Sequence, residues 1–185
     1  MIKLKEKYIK EVVPIMIVSF GYKNSMAVPK VEKVIINTSF GKIVSGKTSD
    51  EQKKIQEAIL NDLILITGQK AIFTKAKKSI STFKTREGMV IGAMVTLRRK
   101  KMFDFLDKLI HIIFPRTRDF QGIKIKSFDK TGNLTIGIKE HIVFPEVMPE
   151  KIRFIFGLEV IIKTTAKNKE EGLELLKLLG FPIKN

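Results

Sequence analysis

The apolar positions of the chain alternate between two spacings. Leu4, Tyr8, Val12, Ile15 and Phe20 recur every three to five residues and predict a helix over residues 2–20, which Pro14 kinks or splits. The stretch "GYKNSMAVPK" then reads as a loop. Residues 31–40, "VEKVIINTSF", are rich in β-branched side chains and predict a strand, with Asn37 among apolar neighbours suiting a face open to a polar partner. Thr48 followed three residues later by Glu51 is a capping box. Ile55, Ile59, Asp62, Leu63 and Ile66 continue at helical spacing until Gly68. A short strand at 71–74 leads into an exposed loop over 74–88.

Period-two alternation returns in "MVIGAMVTLR", residues 89–98. Ile91, Ala93, Val95 and Leu97 face the core there, and Gly92, Met94, Thr96 and Arg98 face away. Phe103, Leu106, Ile110 and Ile113 outline an amphipathic helix ending before Pro115. Strands are predicted at 123–127, 133–139 and 154–164, the first two pairing as a hairpin through "FDKTGN". The last helix opens with a second capping pair, Asn168 and Glu171, and continues through Leu173, Leu176 and Leu179. Helices interleaved with antiparallel strands predict an α+β fold: a mainly antiparallel sheet, helices packed on one face, the other face open.

Composition narrows the function. A chain of 185 residues, 44% hydrophobic and 29% charged, fits one folded domain spanning 1–185. No cysteine is present, which removes disulfides, thiolate metal sites and a cysteine nucleophile. The apolar runs "LILITG" and "IHIIFP" are too short to cross a bilayer, and "MIKLKEKYIKEVV" does not read as a signal peptide, so a cytoplasmic protein is expected. Lys and Arg number 35 against 19 acids, a net +16, which makes a polyanion the first partner to consider. Between Lys70 and Lys101 ten cationic residues face one acid, Glu87. These cations surround strands and a loop rather than lining one helix opposite bulky apolar groups, so the pattern favours nucleic acid over a membrane surface. Lysines alone give salt-sensitive, sequence-blind attraction, whereas hydroxyl, amide and guanidinium groups on a sheet face can also contact ribose and base edges.

Catalytic readings are weak. "GKIVSGKT", Gly41–Thr48, satisfies the P-loop pattern between a predicted strand and a predicted helix, with Lys47 and Thr48 in the phosphate and magnesium positions. The chain lacks the second apolar strand ending in Asp that such an enzyme needs, and its inferred sheet is antiparallel. His111 and His141 have no metal-ligand spacing, and His111 reads as a helix-face residue. Asp104 and Asp107, near Lys100, Lys101 and Lys108, read as helix-surface ion pairs. No catalytic group, metal, cofactor or small-molecule substrate is expected.

Long ordered markers carry a resemblance over the whole chain: "VPKVEKVIIN", "GQKAIFTKAKKSISTFKTREG", "IGAMVTLR", "FPRTRDFQG", "SFDKTGN", "GIKEHIVFPE" and "IIKTTAKNKEEGLELLKLLGFP". The sequence resembles the bacterial large-subunit ribosomal proteins that carry 5S ribosomal RNA, the fifth protein of that subunit. The resemblance implies a ferredoxin-like or RRM-like sheet with its polar face on 5S rRNA in the central protuberance. It also implies a basic loop near P-site tRNA, proximity to the large rRNA of the same subunit, and a bridge to a protein of the small-subunit head. Carried over by position, the 5S rRNA-binding residues are Asn37, Gln69, Lys70, Phe83, Lys84, Arg86, Thr96 and Arg98. The tRNA-contacting loop is Lys75, Lys77, Lys78, Ser79 and Ser81, and Arg116 and Arg118 are candidates for the bridge. Three positions depart from the family pattern: Arg99 where Gly is usual after "TLR", Ala71 where Pro is frequent, and Leu134 where an aromatic is common. The family's usual segment at 41–48 is not a Gly-Lys-Thr loop. A P-loop nucleotide-binding enzyme and a basic RNA-binding protein outside the ribosome are the alternatives.

Overall fold

A computed structural model describes residues 4–148, 150 and 152–184. In chain order the elements are α1 (Leu4–Lys7), α2 (Val13–Phe20), β1 (Val31–Ser39), α3 (Gly41–Val44), α4 (Ser49–Thr67), β2 (Ile72–Lys75), β3 (Val90–Leu97), α5 (Arg99–Lys108), α6 (Phe114–Arg116), β4 (Ile123–Lys124), β5 (Leu134–Ile138), β6 (Leu158–Thr164), α7 (Lys169–Leu179) and β7 (Ile183–Lys184). Five strands form a mainly antiparallel sheet in the order β2-β3-β1-β6-β5, with helices packed on it, which is the expected α+β architecture. The chain divides into two compact units, one comprising Met1–Val34, Leu97–Ile136 and Ile161–Asn185, the other Ile35–Thr96 and Gly137–Val160.

In the first unit α1 and α2 are joined through a π-helical turn at Tyr8–Val12, and α5 and α6 through another at Leu109–Ile113. Both turns stand just before a proline. The last amide ahead of Pro14, that of Val13, bonds back to Tyr8 O, and the last ahead of Pro115, that of Phe114, bonds back to Leu109 O. Proline has no N–H to continue the α ladder, and the wider turn absorbs the break. The helix expected to end before Pro115 therefore continues through it to Arg116. A π turn also adds a residue and rotates everything after it, so Met16, not the expected Ile15, is buried. Leu106 and Ile113 are buried as the spacing predicts, whereas Phe103 and Ile110 are only half-buried beside Met102, Phe105 and Leu109, which fill the core.

The expected hairpin between 123–127 and 133–139 does not form. Ile123 N donates to Pro182 O at 2.8 Å, β4 pairs with β7 in parallel, and Ile125–Ser127 is a 3-10 turn. Only Phe128 stands opposite Leu134, because a closed turn consumes the residues between them. In that turn the Asp129 carboxylate accepts from the backbone N–H groups of Thr131 and Asn133 at 2.9 and 2.8 Å, and from their side chains. The second capping pair is also incomplete. Asn168 makes no side-chain cap, and the Glu171 carboxylate accepts from Lys167 N at 2.9 Å instead.

The second unit is built around α4, whose Ile55, Ile59, Leu63 and Ile66 are buried along with Ile36, Ala93, Val95 and Val160 from the strands. At the start of α4 the Glu51 carboxylate accepts from both Thr48 N and Thr48 Oγ1 at 3.0 Å. These bonds hold its carboxyl below the ordinary value. β2 and β3 pair antiparallel, Ile72 opposite Met94 and Thr74 opposite Gly92, before the register slips to Lys75 opposite Val90. A Cβ at Gly92 would lie 2.6 Å from Thr38 O and from Thr74 Oγ1, so only glycine lets the backbones approach this closely. β6 begins later than expected, at Leu158. The carbonyls of Phe156 and Gly157 are already taken by His141 N and the Thr38 hydroxyl.

Candidate nucleic-acid interface

The alternation predicted for β3 holds from Ala93 to Arg98 but not before it, since Gly92, expected to face away, is buried where its backbone lies against Thr38 and Thr74. Ala93, Val95 and Leu97 are buried, Ile91 and Met94 are half-buried, and Thr96 is exposed. In the second unit Asn37 is half-buried on β1 and donates from Nδ2 to Glu159 Oε2 at 3.4 Å. Gln69, half-buried in the turn after α4, donates from Nε2 to Gly68 O at 2.7 Å, and Lys70 beside it is exposed.

The segment between β2 and β3 is more ordered than an exposed loop. Ala76 N donates to Met89 O, Gly88 N donates to Ala76 O, and Ile80 and Thr85 exchange backbone bonds of 3.1 and 3.2 Å. A 3-10 turn at Ser81–Phe83 follows, with Lys84 in the left-handed region at φ +49°. Ser79 Oγ accepts from Glu87 N at 2.9 Å, and Ser45 Oγ donates to Phe83 O at 3.0 Å. Alternating polar side chains bonding to backbone, in place of an apolar face, produce this secondary hairpin without a regular ladder. Lys75 closes β2 and is exposed, as are Lys77, Lys78, Ser79, Ser81, Phe83, Lys84 and Arg86. The structure brings Lys77, Lys78, Phe83 and Lys84 together around one open cavity of about 800 Å³, which Lys42 also lines.

Arg98 belongs to the first unit, where it stands at the N-terminus of α5 with Nη1 3.9 Å from Glu32 Oε1. Lys163 Nζ approaches the other oxygen, Glu32 Oε2, at 3.1 Å. The Lys163 ammonium is the main reason the Glu32 carboxyl lies below its ordinary value. Glu32, Lys163, Glu159 and Lys42 are absent from the residues picked out by sequence. A period-two reading of β1 and β6 puts Glu159 and Lys163 on one face, but nothing local says that Glu32 joins Lys163. In the same unit Arg116 ends α6 and is exposed, as is Arg118. Phe120 stacks on Phe114 at 4.7 Å and anchors the intervening turn.

The P-loop pattern does not fold as one. Val44 N donates to Phe40 O, Ser45 N to Gly41 O and Lys47 N to Val44 O, so amides that would cradle phosphate are spent on the chain's own carbonyls. The Thr48 hydroxyl, which would hold magnesium, donates to Glu51. His111 is exposed on its helix with Nε2 3.5 Å from Asp107. His141 is fully buried in the second unit, stacked on Phe156 with ring centroids 3.9 Å apart. Its Nδ1 accepts from Phe156 N at 3.4 Å, which by hydrogen bonding assigns the proton to Nε2, 3.6 Å from Asp62 Oδ2. Among the described residues there is no cluster of three or more potential metal ligands, and no helix is long and apolar enough to cross a membrane.

Two family models match the chain, one described as ribosomal protein L5 over residues 24–86, the other as the C-terminus of the same ribosomal family over residues 90–183. The sequence is 53% identical over 185 residues to a large ribosomal subunit protein uL5 from Desulforapulum autotrophicum, covering all of both chains. It is 52% identical over 183 residues to the protein of that name from Caldanaerobacter subterraneus subsp. tengcongensis, and 50% identical over 183 residues to that from Clostridium beijerinckii, covering 99% of each chain in both comparisons.

Proposed function

The chain belongs to the ribosomal protein L5 family, and from that premise we propose that it attaches 5S rRNA to the large ribosomal subunit as a single structural domain. Its coarser role follows from the family: it is a structural constituent of the large subunit and not an enzyme. The observation that carries the finer reading is the exposed charge that runs from the turn after α4 to the start of α5, ten cationic residues to one acid between Lys70 and Lys101. Asn37, Gln69 and Thr96 offer amide and hydroxyl groups for ribose and base edges. Lys70, Lys84, Arg86 and Arg98 offer phosphate contacts, and Phe83 a stacking face. Lys75, Lys77, Lys78, Ser79 and Ser81 are assigned to P-site tRNA, and Arg116 and Arg118 to the small-subunit head.

Labelled 5S rRNA, other structured RNAs and tRNA titrated over a salt series test the reading. Tighter binding of 5S rRNA at every salt concentration is expected. Thr96→Ala and Arg98→Ala each reduce that preference about tenfold, a loss of one good polar contact or ion pair. Lys75→Ala leaves it nearly intact and weakens tRNA instead. Equal affinity for 5S and unrelated structured RNA sinks the proposal.

A further inference from the structure

Glu32 is an acid on a surface that RNA binding requires to be cationic. It lies on β1, and the neighbouring strands of the sheet bring a cation to either side of it: Arg98 directly follows β3, and Lys163 belongs to β6. All three residues fall in the first unit. The two carboxylate oxygens are shared unequally. Oε2 lies 3.1 Å from Lys163 Nζ, within hydrogen-bond reach, whereas Oε1 stays 3.9 Å from Arg98 Nη1. A carboxylate that meets a guanidinium alone closes into a fork of two parallel bonds at about 2.8 Å. Arg98 is not held that way. We propose that Lys163 is a positioning residue for RNA binding: by drawing Glu32 to itself it keeps that carboxylate from capturing Arg98, whose guanidinium then meets a phosphate.

The hydrogen bond from Lys163 is the largest cause holding the Glu32 carboxyl below its ordinary value, and of the cations acting on that carboxyl Arg98 has the least effect. Backbone geometry sets this preference. Two residues beyond Lys163 and two before Glu32, Thr165 N donates to Lys30 O at 2.9 Å and Lys30 N donates to Thr165 Oγ1 at 3.0 Å, which fixes β6 against β1. Ile162 and Thr164 are buried, so Lys163 between them points outward. Arg98 is the most exposed of the three, 56% of its side chain against 36% for Glu32, so the guanidinium meets an approaching strand before the carboxylate does. An ion pair between groups this exposed adds little to the stability of the fold, and its consequence lies in what it leaves available for binding. The Lys163 ammonium is itself engaged by Glu32, which makes a direct phosphate contact the weaker role for it.

The inference rests on the reading that Arg98 contacts RNA phosphate, but not on which RNA. The test is a double-mutant cycle on the full chain, read by the anisotropy of labelled 5S rRNA over a salt series, with an unrelated structured RNA in parallel. Lys163→Ala is expected to lower affinity about tenfold, the size of the Arg98 contact it forfeits. Glu32→Gln binds at least as tightly as wild type, and adding Lys163→Ala to it costs about twofold or less. Lys163→Arg, which keeps the ion pair, retains wild-type affinity. In an Arg98→Ala protein, Lys163→Ala has little further effect. A loss of about tenfold on Lys163→Ala whether or not Glu32 is present identifies a direct phosphate contact and overturns the proposal. So does a Glu32→Gln protein as weak as Lys163→Ala, since the pair would then merely hold the surface together. Wild type that binds both RNAs equally sinks the 5S reading, while coupling between Lys163 and Glu32 on either RNA still supports the positioning role.

Discussion

Arg99 shows how a single residue carries a backbone conformation. It stands where the resembling family usually has glycine, and its φ is +53°, a region in which the Cβ of an L-residue crowds the following carbonyl. Arg99→Gly removes that crowding at the cost of a more flexible unfolded chain, and a net gain of about 0.5–1 kcal/mol in stability by urea denaturation is expected. A loss of stability would show that the Arg99 side chain holds the start of α5 in place. Other single residues are less legible in the sequence. Thr48 and Glu51 can be joined from it, because a cap spans three residues and its partners are local. Glu32 cannot, because both its partners, Arg98 and Lys163, lie far away in the chain. His141 reads only as a residue beyond a strand, and its stacking on Phe156 and approach to Asp62 depend on burial.

Elements are legible where a period persists without interruption. α4 keeps its apolar stripe from Ile55 to Ile66 and ends at Gly68, whose φ of +63° closes the helix. The helices containing Pro14 and Pro115 are visible in the sequence but out of phase or cut short, since a π turn leaves no mark in apolar spacing. The β4–β5 hairpin fails for a different reason: its turn is tighter than the spacing implies. Asp129 explains the tightness. Burial pushes its carboxyl up, yet the bonds from Asn133 and Thr131 outweigh this and hold it below its ordinary value of 3.8. A carboxyl lowered in the folded state stabilises the fold above its unfolded pKa, and that contribution disappears as pH falls through the folded one. Asp129→Asn, which turns an acceptor toward the Asn133 amide into a donor, is expected to cost about 1 kcal/mol at pH 7. The gap to wild type should narrow in urea melts as the pH is lowered below 3.8. A gap independent of pH would show that shape rather than charge holds the turn.

At the scale of the whole molecule, the proposal of a single domain has a direct thermodynamic consequence. β1, β3, β5 and β6 each contain residues of both compact units, the division falling after Val34, Thr96, Ile136 and Val160. Strands shared in this way are expected to melt together, giving one urea transition with coincident far-UV circular dichroism and tyrosine fluorescence. Two separated transitions would argue for two domains. The sequence by itself determined the fold class, the cap that opens α4, the face assignments of β3 from Ala93 to Leu97 and the cationic excess, because each depends on composition or on neighbours a few residues apart. Tertiary structure alone decided that β4 pairs with β7, that Glu32 lies between Arg98 and Lys163, and that Lys42 shares a cavity with Phe83. Such contacts join residues tens of positions apart, and local spacing holds no record of which distant surfaces will meet when the chain buries its apolar side chains.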